Sequence, residues 1–238
     1  MGRMLRALLS TLLGSSLLHS QEKESPNILL LGDSISIGYT PFVQQMLKGE
    51  AKVFRPMQKD DKRPENCAYA ANGVTRIEAW LGDTKWDVIH FNFGLHDLKY
   101  IGQPLPNAKI VPQKGDAIKK NPEARQLSSI RDYLANLEKI VTRLKKTKAT
   151  LIFCTTTPVP EGSRGRIPGD EQKFNAAAVK LMEKLNVAVN DLHGHASLDK
   201  VATHQRKADV HYTKEGSKLL AAGVVHTLRA CLENSTVK

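Results

Sequence analysis

Three cysteines in 238 residues are too few for a disulfide framework, and none pairs with another residue at metal-ligand spacing. A single bridge among Cys67, Cys154 and Cys231 stays open, and it would leave one thiol over. Aromatic residues make up only 5% of the chain, so no stacking platform for sugars or bases stands out. With no recognition-helix or RNA-binding signature either, nucleic acid is not an expected partner, despite a formal charge of +11. No apolar run approaches the roughly eighteen residues of a membrane span, so no stable membrane insertion is expected. GxxxxGK[ST], GxGxxG and HExxH are all absent, which removes the phosphate-loop, dinucleotide and zincin classes. No metal or cofactor is expected.

Lysine and arginine are scattered, and Lys145, Lys146 and Lys148 cluster at the end of a helical pattern, where cations suit the dipole. A basic surface favours anionic partners without choosing among them. Residues 1–20 read as a secretory signal, with Arg3 and Arg6 ahead of a short apolar core from Leu8 to Leu18 and Ser20 at a possible cut. The protein is therefore expected to be exported, periplasmic or secreted. Residues 21–26 form a short leader and 27–238 one domain. The oligomeric state has no signature.

The run PNILLLGD is continuously apolar, as in a strand covered on both faces. AKVFRP, WDVIHFN, TLIFCTT and NVAVNDL repeat that character between helical patterns. The first helix is expected to start at Thr40-Pro41; others cover VTRIEAWLGD, 129–146, 171–185 and the C-terminal segment. Five strands alternating with helices predict an α/β fold, a three-layer α/β/α sandwich around a five-stranded parallel sheet. Residues 100–126 are rich in glycine, proline and lysine and show no period. They either wall a groove with Lys109, Lys114, Lys119 and Lys120 or lack fixed structure.

Three loops carry chemistry. LGDSISIGY places Ser34 directly after the first strand, close to a helix start whose N–H groups suit a developing anion. NFGLHDLK presents His96 and Asp97 after the third strand. DVHYTKEG, before the last helix, offers His211 as a base for the Ser34 proton with Asp209 nearby. Each has a plain alternative: Ser34 as a helix cap, His96 and Asp97 as loop residues, the last segment as a cap. Together they place Ser, His and Asp at one sheet edge.

GDSISIGY, ANGVTRI and DVHYTKEG, in that order, resemble the blocks of the SGNH, or GDSL, hydrolases, including carbohydrate esterases of the rhamnogalacturonan acetylesterase type. The resemblance covers residues 27 to 227 and implies the same five-stranded α/β/α sandwich. It implies Ser34 as nucleophile and oxyanion donor, Gly73 as a second N–H donor, and His211 as base. Two positions depart from it. His96 stands where the third block has an asparagine oxyanion donor, a role that neutral imidazole can fill with one N–H. Ala208 stands where the last block has its aspartate, leaving Asp209 as the expected triad acid or a Ser-His dyad in its place. Asp33 and Asp97 are expected to support the site. The implied activity is serine esterase, removing small acyl groups such as O-acetyl from an extracellular or periplasmic carbohydrate. A lipolytic esterase, a thioesterase and a non-catalytic carbohydrate-binding protein are the alternatives.

Overall fold

The structure is a computed structural model that describes residues 24–60 and 62–235. The expected signal, 1–20, and the first half of the leader lie outside the described residues. The elements, in chain order, are β1 (Asn27–Leu31), α1 (Ser34–Met46), β2 (Lys52–Phe54), α2 (Ala70–Leu81), β3 (Val88–Phe91), β4 (Tyr100–Ile101), β5 (Arg125–Gln126), α3 (Ile130–Lys145), β6 (Thr150–Cys154), α4 (Asp170–Lys184), β7 (Ala188–Asn190), α5 (Leu192–Ala196), α6 (Asp199–Ala202) and α7 (Lys214–Ser235).

β2, β1, β3, β6 and β7 lie side by side in that order, all parallel. Ile28, Leu29, Leu30 and Leu31 of β1 are each at most 1% exposed, which explains their unbroken apolar run. Each such side chain contributes about 1.5–3 kcal/mol by leaving water. α1 packs on α7 along one face of the sheet, and α2, α3 and α4 pack in succession along the other. Phe91 and Phe153 meet edge to face at 5.6 Å between β3 and β6. The result is the three-layer sandwich that the alternating pattern predicts.

The strand order reverses between β1 and β3. At such a switch point the loops leaving the two strands turn to opposite faces and open a crevice at the carboxyl edge, where open α/β sheets bind ligands. Ser34 follows β1, and 92–97 follows β3, so both candidate loops flank this crevice.

Two local expectations need correction. α1 begins at Ser34, not Thr40, because the Asp33 carboxylate accepts the Ile35 N–H at 2.9 Å and caps the helix. Pro41 therefore sits inside the helix, where it can offer no N–H to the Ile37 carbonyl. The segment 100–126 is ordered by its own small elements. β4 and β5 pair antiparallel, residues Gly115–Lys120 form a 3₁₀ turn, and Val111, Ile118 and Ile167 make a satellite core. Lys109, Lys114, Lys119 and Lys120 point outward, and Lys119 pairs with Asp116 at 2.6 Å.

Candidate active site

Ser34 is the first residue of α1, held there by Asp33 behind it. Its N–H has no acceptor among the described residues, as befits an open helix start. Arg55, from the end of β2, secures the same turn from outside. It donates to the Gly32 carbonyl at 3.4 Å, the Glu65 carbonyl at 3.0 Å, Ser36 Oγ at 3.1 Å and Thr40 Oγ1 at 3.0 Å.

Ser34 Oγ lies 2.8 Å from His211 Nε2, and His211 Nδ1 lies 2.7 Å from Asp209 Oδ1. The carboxylate accepts from Nδ1, so the Nε2 lone pair faces the serine hydroxyl. Burial alone would raise the Asp209 pKa, but the hydrogen bonds from the His211 ring and N–H outweigh it and hold the carboxyl below its ordinary value.

Asp209 reaches His211 across only two residues because the chain doubles back. Arg206 N–H donates to the His211 carbonyl at 2.8 Å and Asp209 N–H to the Arg206 carbonyl at 3.2 Å. Ala208, in the family's aspartate place, takes the left-handed conformation at the turn with φ +56°. Gly162 lies against it, so closely that a Cβ there would come within 2.9 Å of Ala208 Cβ.

His96 follows β3, and its Nδ1 lies 3.4 Å from Lys99 Nζ. An ammonium only donates, so Nδ1 accepts and the ring proton sits on Nε2. Nε2 has no acceptor among the described residues. Burial first, then the charges of Lys99, Arg166 and His211, push the His96 pKa down to about 3. The ring is neutral and keeps one free N–H donor.

The Gly73 reading fails on direction. Its N–H donates to the Tyr69 carbonyl at 3.1 Å within the first turn of α2, so it is not free for an oxyanion. Glycine is needed there for packing instead, since a Cβ would lie 2.7 Å from the Phe93 ring and 2.8 Å from Ile140. In that turn the Ala70 N–H goes to Asp97, while those of Ala71 and Asn72 lack acceptors among the described residues.

Asp97 and Asp33 support the site from behind. Asp97 is fully buried, accepts the Ala70 N–H with both oxygens at 3.1 Å and Ser128 Oγ at 2.9 Å, and has its pKa raised to about 7 by burial. It binds the β3 loop to the start of α2. Cys67, Cys154 and Cys231 form no disulfide among the described residues.

Beside Ser34 and His211 lies a cleft of about 340 Å³, lined also by Ile35, Phe42, Arg206, Tyr212 and Lys214. Lys99, Arg55 and Arg166 are site residues that motif reading misses. Nothing local distinguishes them from the other basic residues of the chain, because their placement depends on contacts distant in sequence.

Residues 30–219 match the GDSL-like lipase/acylhydrolase family. A search among curated proteins returned no match. Among solved structures, the lipase/acylhydrolase from Enterococcus faecalis is similar, with TM-score 0.62 and 20% identity over 86% of this chain and 96% of that one. A carbohydrate esterase family 3 protein from Talaromyces cellulolyticus is similar at TM-score 0.59 and 16% identity over 88% and 99% of the two chains. An acetyl xylan esterase gives TM-score 0.61 and 14% identity over 84% and 98%. At these identities the likeness is one of fold. The family match covers most of the chain and includes the Ser34 and His211 segments, and on it the chain belongs to the GDSL-like lipase/acylhydrolase family.

Proposed function

We propose that the protein is a serine esterase that removes small acyl groups, O-acetyl foremost, from a carbohydrate met after export. The observation that carries this reading is the continuous hydrogen-bonded chain from Ser34 Oγ through His211 to Asp209. A serine hydroxyl is a weak nucleophile at its own pKa and needs an oriented base within hydrogen-bond reach.

Ser34 Oγ attacks the acyl carbonyl as its proton passes to His211 Nε2. Asp209 holds the ring in the required tautomer and stabilises the imidazolium. The carbonyl oxygen gains negative charge and is met by two free donors, the Ser34 N–H at the start of α1 and the His96 Nε2–H. His211 returns the proton to the departing alkoxide. Water, activated by the same base, then releases the acyl group from Ser34. Export is supported by the pattern of residues 1–20, and the carbohydrate by the acetyl xylan esterase and carbohydrate esterase folds that resemble this one.

Steady-state hydrolysis of 4-nitrophenyl acetate and octanoate by the purified protein, beside Ser34→Ala, tests the reading. Ser34→Ala is expected to lose at least about 10⁴-fold in kcat, in line with removal of a triad nucleophile, and the acetate to be the better ester. Inactive wild type, or Ser34→Ala retaining a tenth of the rate, returns the protein to the non-catalytic carbohydrate-binding reading. Preference for octanoate returns it to the lipolytic one.

A further inference from the structure

Arg166 lies in the loop between β6 and α4 and is 8% exposed. A buried guanidinium is normally paired, because taking the charge from water is costly. Among the described residues the Arg166 side chain makes one hydrogen bond, from Nε to the Leu95 carbonyl at 3.2 Å, next to His96. No carboxylate lies within ion-pair distance of it among the described residues. Its two terminal nitrogens have no acceptor there either, and unlike Arg55 Nε they are not sealed from solvent.

The position is built rather than incidental. Gly165 N–H donates to the Gln113 carbonyl at 2.9 Å, Tyr100 N–H to the Gly165 carbonyl at 2.8 Å, and Gly115 N–H to the Arg166 carbonyl at 3.1 Å. Ile167, next in sequence, anchors in the satellite core with Val111 and Ile118. Much of the 100–126 excursion thus serves to clamp the loop that carries Arg166.

The charge of Arg166 is felt at Asp33, Asp209, His96 and Lys99, residues of all three site loops. Neither acid is bonded to it. Asp33 is buried, caps α1, and has its pKa raised by burial; Asp209 is engaged by His211. Lys99 adds a second cation that feels Arg166, with His96 Nδ1 as its one side-chain hydrogen-bond partner among the described residues. Arg206 and Lys214 line the cleft beside Ser34 and His211.

We propose that Arg166, with Lys99 beside it, is an anion-recognising subsite, and that the ester cleaved at Ser34 is carried by a molecule bearing a carboxylate, as in an acetylated uronic acid. The proposal rests on the esterase reading and names its substrate class. A planar guanidinium with two free terminal nitrogens matches a carboxylate in a two-point contact, and in a site partly closed to water that contact is strong.

The test compares kcat/KM for mono-O-acetyl glucuronate and mono-O-acetyl glucose in wild type, Arg166→Gln and Arg166→Lys. Wild type is expected to favour the uronate by at least about tenfold, a common order for one desolvated charge-assisted contact. The ratio should collapse toward one in Arg166→Gln and survive in part in Arg166→Lys. Equal loss of both esters in Arg166→Gln, with the ratio kept, would make Arg166 a prop for the Leu95 carbonyl and overturn the subsite. So would a wild-type ratio near one, which leaves the esterase reading intact. If neither ester is hydrolysed, NMR titration of the Ser34→Ala protein with glucuronate and glucose decides. Selective glucuronate binding that is lost in Ser34→Ala/Arg166→Gln supports the subsite, and its absence overturns it.

Discussion

Two histidines stand on candidate site loops, and their surroundings suit them to opposite tasks. His211 is 42% exposed at its side chain and leans on Asp209, which fixes its Nδ1 proton and leaves Nε2 as an acceptor for Ser34. His96 is more enclosed and has cations for neighbours, with Lys99 on Nδ1 and the charge of Arg166 nearby. A carboxylate partner on the Nδ1 of an imidazole fixes the tautomer that leaves Nε2 as an acceptor. Cationic neighbours and burial make the ring a neutral N–H donor that does not titrate near neutrality. In the proposed mechanism one residue type serves as both proton acceptor and oxyanion donor, and the difference lies in the partner on Nδ1.

The comparison breaks first at Asp209. Asp209→Asn should fold normally by circular dichroism and lose between about 100- and 10,000-fold in kcat/KM for an acetate ester, the upper figure being that of a true triad acid. A near-wild-type rate beside an inactive Ser34→Ala would leave a Ser34–His211 dyad.

At His96 the expected loss is smaller. His96→Ala should lower kcat by about 100- to 1000-fold, the usual effect of deleting one oxyanion donor. His96→Asn should recover part of it. Because His96 stays neutral down to about pH 3, wild type and His96→Asn should share the same acid limb in kcat against pH. A limb that shifts with the substitution would show that the ring titrates during turnover.

A third histidine sharpens the contrast through stability alone. His90 of β3 is fully buried, with Nε2 3.1 Å from Asn190 Nδ2 and Nδ1 unpartnered, and burial pushes its pKa down to about 4. Its folded pKa lies below the unfolded value, so the unfolded chain takes up a proton that the fold refuses. The stability involved is complete above about pH 6.5 and drains as pH falls toward 4, by at most on the order of 3 kcal/mol. Urea midpoints at pH 7 and pH 4.5 should therefore differ less in His90→Leu than in wild type. An unchanged difference would place the acid sensitivity elsewhere.

What could be read before folding depended on how far each residue's partners lie along the chain. The sheet was legible because β1, β3 and β6 carry nearly continuous apolar runs, a pattern held by adjacent residues. Ser34, Asp209 and His211 were legible for a related reason: each stands in a short segment with its own chemistry, and the turn at Ala208 needs no distant residue for Asp209 to face His211. Gly73 was misread because the direction of its N–H depends on where α2 begins, and that start is capped by Asp97 from another loop. The early start of α1 turns on the Asp33 cap, two residues from its target, whereas Pro41 suits a first helical position by its fixed φ and so points to a later start. Arg166 could not have been found, since backbone bonds from Tyr100, Gln113 and Gly115 put it in place.

The two capping aspartates also set an order of events. Asp33 receives the N–H of a residue two positions on, so the first turn of α1 can close as soon as that stretch of chain exists. Asp97 receives the N–H of Ala70, 27 residues back, and the hydroxyl of Ser128, 31 residues ahead. Closing loops of that size costs chain entropy that local contacts do not repay. The start of α2 and the entry to α3 are thus secured only once β3 has taken its place between β1 and β6. The turn that presents Ser34 can form early, while the loop that carries His96 waits for the middle of the sheet.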